Sequence, residues 1–313
     1  MIWRRRGLVF APEPAGLWQS HAQEPTPLVL GPRHWRIFLG GRDRENRTRI
    51  FHVDVDPGAD MAVTAVSTTP AMELGPHGAF DSAGQCVTAL VRGEVQGEAL
   101  TAWYIGMHLR RDVPYGLAIG RAVSRDDGVS FTPDPGPVLA AGPEDPVLTS
   151  TPFVEPDGAG FRGWHMSGTG WEEVAGAPPD PVYGIAAVTS PDGRRWHRTG
   201  PALWPEGEAA GLTRPFVFRR RGQRWMIFSR RGRGDFRSGG AAGYRLWQVP
   251  LGEDDTLLAA PEPLALSPPP APGDWDFGMQ EYAAVAPLEG GFALFYCGAE
   301  FGRHGFGWAS LDL

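Results

Sequence analysis

The sequence contains no lysine: all 29 of its basic side chains are arginine. That is the composition expected of a GC-rich bacterial genome. Against 36 acidic residues the formal net charge is −7, which excludes a general nucleic-acid binder, since such proteins carry a basic face. Cysteine is scarce too. Cys86 and Cys297 are too few for a disulfide framework. No apolar run is long enough to cross a bilayer, and no long stretch has helical periodicity. The opening Met1-Ile2-Trp3-Arg4-Arg5-Arg6 is followed by only a short apolar stretch before Pro12, without the apolar centre of a signal peptide. These absences predict a cytoplasmic protein with neither a membrane nor a nucleic-acid partner. No ligand spacing such as HxxxH or CxxC occurs, so neither a metal nor another cofactor is expected.

What is abundant points one way. The 43 glycines, 31 prolines and 12 tryptophans describe many short strands joined by tight turns, because so aromatic a chain buries a core. The strands repeat. A turn followed by an aromatic recurs as SRDDGVSFTPDPGPVL from Ser124 and TSPDGRRWHRTGPALW from Thr189. In each, Asp-Gly makes the turn, where glycine adopts positive φ without steric cost. A second unit, a short apolar strand ending in small or polar residues, occurs five times. It reads WRIFLGGRD from Trp35, AWYIGM from Ala102, GWHMSGTGW from Gly163, RWMIFSRRG from Arg224 and GFALFYCGA from Gly291. Each copy follows a strand with a polar or proline-containing head: HAQEPTPLVL, FDSAGQCVTALV, TSTPFVEP, LTRPFVFR and QEYAAVAPL.

Five units at a spacing of roughly 60 to 70 residues predict one all-β domain over residues 1–313, a five-bladed β-propeller. Each blade would run inner, second, third and weaker outer strand. The chain ends on a third strand, and IWRRRGLVFAP resembles the outer-strand segments. The N-terminus is therefore expected to complete the last blade and close the ring. The competing architecture is a β-sandwich.

The turn unit S-x-D-G-x-x-F/W, with HAQEPTPLVL, FDSAG and QEY on inner strands, resembles the five-bladed glycosidase-like propellers: arabinanases, invertases, levansucrases and β-mannoside phosphorylases. The resemblance spans essentially the whole chain. It implies a carbohydrate-active site in the funnel at one end of the propeller axis, lined by the heads of the inner strands.

Cleaving a glycosidic bond takes a carboxylic acid to protonate the leaving oxygen, and usually a second carboxylate across the anomeric carbon. The catalytic candidates are Asp81, Glu281 and Glu24. Each also reads as a strand-end carboxylate that caps a turn or pairs with an arginine, and Glu24, between Gln23 and Pro25, faces either way. Asp145, before Pro146, reads as a turn residue. The substrate-binding candidates are His21, Gln23, Arg42, Arg214, Arg230, Thr151, Trp103, Trp164, His165 and Gln280. The fourth inner strand departs from the glycosidase pattern. Its head, Gly211-Leu212-Thr213-Arg214-Pro215, carries an arginine where the family places an acid. Arginine grips carboxylate or phosphate through two parallel hydrogen bonds, so a sugar or sugar phosphate is the expected ligand and phosphorolysis or transfer is favoured over hydrolysis. The alternatives are a relative that binds or converts an anionic sugar or natural-product intermediate without hydrolysis, and a scaffold for protein partners.

Overall fold

The computed structural model describes residues 1–95, 98–237 and 240–313. Nearly all of its regular structure is strand, in three sheets among the described residues; two of these each consist of two mainly antiparallel groups joined by one parallel pair, Thr48 with Gly84 and Tyr183 with Gly211. The first strand, β1 (Ile2–Phe10), belongs to the last group. The first group is β2 (Ser20–Gly31), β3 (His34–Arg42), β4 (Thr48–Asp56) and β5 (Ala62–Val66). The second is β6 (Gly84–Val95), β7 (Glu98–Leu109), β8 (Tyr115–Ser124) and the short β9 (Thr132–Pro133). The third comprises β10 (Leu148–Asp157), β11 (Gly160–Val174), β12 (Ala177–Ser190) and β13 (His197–Leu203). The fourth comprises β14 (Ala209–Arg220), β15 (Gln223–Gly232), β16 (Arg245–Leu251) and β17 (Glu262–Pro263). After β18 (Ala265–Ser267) come β19 (Glu281–Leu288), β20 (Gly291–Cys297) and β21 (Phe306–Asp312). Strand β1 lies antiparallel beside β21, with Arg4 opposite Ser310 and Phe10 opposite Phe306, and β18 runs parallel on its far side. The N-terminal segment is thus the fourth strand of the last group, as its sequence predicts.

The first strands of the groups pack in a cycle: β2 on β6, β6 on β10, β10 on β14, β14 on β19, and β19 back on β2. Their burial follows from that position. Residues 148–154 of β10 and 209–215 of β14 are continuously buried, whereas β5, β9 and β17 are largely exposed. Strands covered on both faces are apolar or hydrogen-bonded throughout; outer strands alternate or are polar.

The apolar core is divided accordingly. One cluster joins the first and last groups through Trp35, Phe51, Phe295 and Trp308. Others sit between successive groups: Phe38 with Tyr104, Trp103 with Phe161, Phe153 with Phe228, and Phe218 with Tyr296. The repeated turn supplies part of this packing. Ser124 Oγ accepts the Gly128 amide at 2.8 Å, and Ser190 Oγ accepts the Gly193 amide at the same distance. Both glycines have positive φ, 79° and 71°. Each turn then delivers its aromatic to the preceding group, Phe131 edge-on to Phe38 and Trp196 edge-on to Trp103. The sequence unit is therefore a device for docking one group on the one before it.

Candidate functional site

All five inner strands break their hydrogen-bonded register near the head. The breaks fall between Gln23 and Thr26, Val87 and Ala89, Ser150 and Phe153, Thr213 and Phe216, and Glu281 and Ala284. A bulge adds residues on one strand and re-aims their side chains. The residues in the gap are equivalent: Glu24, Thr88, Thr151, Arg214 and Tyr282. Four have positive φ, at 53°, 41°, 54° and 57° for Glu24, Thr151, Arg214 and Tyr282. Non-glycine residues rarely adopt that conformation, which costs about 1 kcal/mol or more and is kept where surrounding structure enforces it. Proline follows three of them (Pro25, Pro152, Pro215), where a lost backbone N–H breaks no ladder bond.

Arg214 ties the inner strands together. Its guanidinium donates to the Thr88 carbonyl at 2.6 Å and Thr26 Oγ1 at 2.7 Å, its Nε lies 2.9 Å from Glu24 Oε2, and its amide donates to Thr151 Oγ1 at 3.1 Å. Three further bonds run between neighbouring strands: Thr26 Oγ1 to the Val87 carbonyl, Thr88 Oγ1 to the Pro152 carbonyl, and Thr151 Oγ1 with Thr213 Oγ1. Arg214 has no exposed surface. The sequence expectation that it holds an anionic ligand is corrected: its guanidinium is directed onto neighbouring strands, and it does not line the cavity.

Above this plug lies a cavity of about 430 Å³, within the range of small-ligand sites. Its polar wall includes Gln23, Glu24, Arg42, Asn46, Ser150 and Thr151. Aromatic side chains of Tyr115, Tyr183, Phe236, Tyr244, Tyr282 and Phe301 form much of the rest. Glu24 is the one carboxylate among the described lining residues. Burial pushes its pKa up to about 7, and the Arg214 charge offsets only part of that. Glu281 is fully buried, and it does not line the cavity. Burial and the nearby Glu24 charge drive its pKa well above the usual carboxylate range.

Of the predicted residues, Glu24, Gln23, Arg42 and Thr151 meet at the cavity. The others lie elsewhere. Asp81 falls in the turn before β6, not on the strand, and accepts hydrogen bonds from Gln85 Nε2 (2.8 Å) and Tyr104 Oη (3.0 Å). Trp103 and Trp164 are core residues, and Trp103 Nε1 donates to the Gly193 carbonyl. Large apolar rings stay between groups because burying them there contributes more than exposing them to a polar pocket. His165 is buried against Asp145 at 3.0 Å, and Arg198 completes that cluster; Asp145 therefore anchors side chains beyond its turn. Arg230 stacks on Trp247, its centre 4.3 Å from the ring. Gln280 donates to the Asp276 carbonyl. His21 is bonded to Ser20 Oγ at 2.7 Å, and burial lowers its pKa to about 3.

Reading only the first two strands of each unit misses the aromatic wall. The signal lay in the third strands: Tyr115 heads one of them, and Tyr183 and Tyr244 stand at the same point of two other units, each two residues before the partner of Met166 or Ser229. All three line the cavity.

No family model matches the chain. It is 31% identical to the Mycobacterium tuberculosis protein Rv1502 over 325 aligned residues, covering the whole of both chains. Among solved structures, a glycoside hydrolase is similar with a TM-score of 0.66 at 14% identity, covering 98% of this chain and 90% of that one. A thermostable family-43 glycoside hydrolase gives 0.61 at 11% identity, with 96% and 91% covered. A Bombyx mori family-32 β-fructofuranosidase gives 0.61 at 14% identity, with 99% of this chain and 61% of that one covered. The chain therefore has the fold of the propeller glycosidases.

Proposed function

We propose that this chain, which belongs to the family of the mycobacterial protein Rv1502, is a five-bladed propeller that cleaves or transfers a glycosidic bond of a small carbohydrate in its central cavity. The five strand groups, packed in a cycle, are the blades. The observation that carries the reading is Glu24: the cavity's one carboxyl group among the described residues, with a pKa raised to about 7. A group poised there is protonated often enough to act as an acid and ionised often enough to act as a base.

Glu24 donates its proton to the glycosidic oxygen as the bond to the anomeric carbon breaks. The nucleophile enters from the opposite face with inversion. With no second wall carboxylate among the described residues, a nucleophile that is already anionic, such as inorganic phosphate, needs no base to activate it. Arg42 and Arg237 on the wall favour such an anion, or an acidic sugar. The aromatic side chains offer apolar faces to a pyranose ring.

Sugar release from a panel of aryl and natural glycosides, with and without phosphate, tests the reading. Turnover should fall at least 100-fold in Glu24→Gln and be unaffected by Asp81→Asn. Full activity in Glu24→Gln would overturn it. A second reading, recognition without turnover, is favoured by the Glu24–Arg214 ion pair. It predicts sugar binding by the wild type with no turnover on any glycoside.

A further inference from the structure

The third-strand tyrosines carry information about the ligand that Glu24 does not. Tyr183 Oη and Tyr244 Oη are hydrogen-bonded to each other, and both side chains are buried against the cavity they line. Arg231 Nε donates to Tyr183 Oη at 2.7 Å. Its two terminal nitrogens donate to the carbonyls of Gly232 and Pro181, and its centre lies 5.0 Å from the Tyr183 ring and 3.9 Å from the Phe236 ring. Space is reserved for the arrangement, because a Cβ on Gly211 would collide with the Tyr183 ring and approach Arg231 Nε within 2.9 Å.

Counting protons fixes what this cluster presents. Arginine can only donate, so one Tyr183 lone pair is taken. The two phenols carry two protons, and their mutual hydrogen bond uses one. The other has no acceptor among the described residues. Whichever direction the mutual bond runs, one O–H remains to be donated, and its oxygen already accepts a bond.

We infer that the Tyr183–Tyr244 pair, oriented by Arg231, is the donor half of an oxyanion subsite that holds a carboxylate or phosphate group of the sugar ligand. Arg237 supplies the adjacent charge. It lines the same wall, stacks on Phe236 at 4.3 Å and is steadied by Asp180 at 2.6 Å. An oxyanion accepts hydrogen bonds and donates none, so it matches a wall of this kind, while a neutral hydroxyl would accept the same bond at about half the strength. Arg231 is a positioning residue: it reaches the ligand only through Tyr183. This inference rests on the reading of the cavity as a carbohydrate site and adds the class of sugar.

The test is equilibrium titration of the full chain by calorimetry with matched pairs: glucose against glucuronate, galactose against galacturonate, and glucose against glucose 6-phosphate, with inorganic phosphate alone as control. The acidic member of at least one pair should bind ten-fold or more tightly. The uronates and glucose 6-phosphate separate a carboxylate from a phosphate. Proton counting predicts a pattern across variants. Tyr183→Phe and Tyr244→Phe each leave one free phenol donor, so each should retain the preference within about threefold. The double variant has none and should lose it. Arg231→Lys, which keeps a charge but not the fork, should by itself retain the preference within about threefold, as Tyr183→Phe does, and should weaken it more than about threefold in the Tyr244→Phe background, where Tyr183 is the remaining donor. Equal affinity for neutral and acidic members, binding of neither, or a preference that survives in the double variant would overturn the inference. Failure here is separable from failure of the enzymatic reading. A charge preference without turnover leaves the subsite standing and removes the catalysis. Turnover of neutral glycosides without a preference does the reverse.

Discussion

Arg214 and Arg231 are the most deeply buried arginines among the described residues, and they do opposite work. Arg214 sends its donors outward along three inner strands, to the Thr88 carbonyl, Thr26 and Glu24, with Thr151 receiving its amide. It is a tie across the centre. Arg231 bonds to one phenol and two carbonyls and turns its faces to Tyr183 and Phe236, so its influence ends on a cavity wall. The contrast shows that a buried arginine in a polar region is not by itself a ligand site. What distinguishes the two is where their contacts end: those of Arg214 on inner strands beneath the cavity, those of Arg231 on a phenol that lines it.

The largest expected effect breaks the tie. Arg214→Met removes the bonds between strands and leaves Glu24 as an uncompensated buried charge, which should cost about 3–5 kcal/mol in urea unfolding. Adding Glu24→Gln to that variant should recover part of the loss, and Arg231→Lys should cost less than Arg214→Met while affecting ligand preference more. Equal destabilisation by Arg214→Met and Arg231→Lys would erase the distinction. Next is the docking aromatic. Phe131→Ala opens a hole against Phe38 and should cost about 3 kcal/mol, measured in the same way.

A third prediction concerns pH. Burial holds His21 near 3 and His52 near 4, below the ordinary 6.5. The unfolded chain takes up those protons first, so the stability they provide is present above pH 6.5 and is lost as pH falls toward about 4 for His52 and about 3 for His21. Each group contributes a slope of at most about 1.4 kcal/mol per pH unit. Glu24 acts in the opposite sense. Its pKa rises from 4.5 to about 7, so its contribution is full below pH 4.5 and is lost as pH rises through 7. His52→Gln should flatten the acid limb of the stability profile, and an unchanged limb would refute the assignment. The smallest effect is Ser190→Ala, which removes the acceptor of the Gly193 amide and should lower stability by about 1 kcal/mol.

The architecture was legible because it is written five times. The second-strand pattern from Trp35 to Gly291 marks every group, and Ser124 and Ser190 announce turns that bind their own backbone as the repeat implies. The site was legible only in part, for a physical reason. A strand head does not reveal which way a bulge turns its side chains. Glu24 and Arg214 occupy equivalent positions with nearly equal φ, yet one lines the cavity and the other fills the space beneath it. Trp103 and Trp164 looked like stacking platforms because aromatic content does not say which face of a strand is covered. Tyr183 and Tyr244 recur at the same point of two units, but a third strand with no polar head gives no sign of facing the cavity.

The most direct test of the account is the pH dependence of glycoside turnover in the wild type and in Glu24→Gln. Glu24 as the proton-transferring group predicts a rate controlled by one ionisation near pH 7 that vanishes, with at least 100-fold of the rate, in the variant. Turnover that keeps both its rate and its pH profile after Glu24→Gln would contradict it.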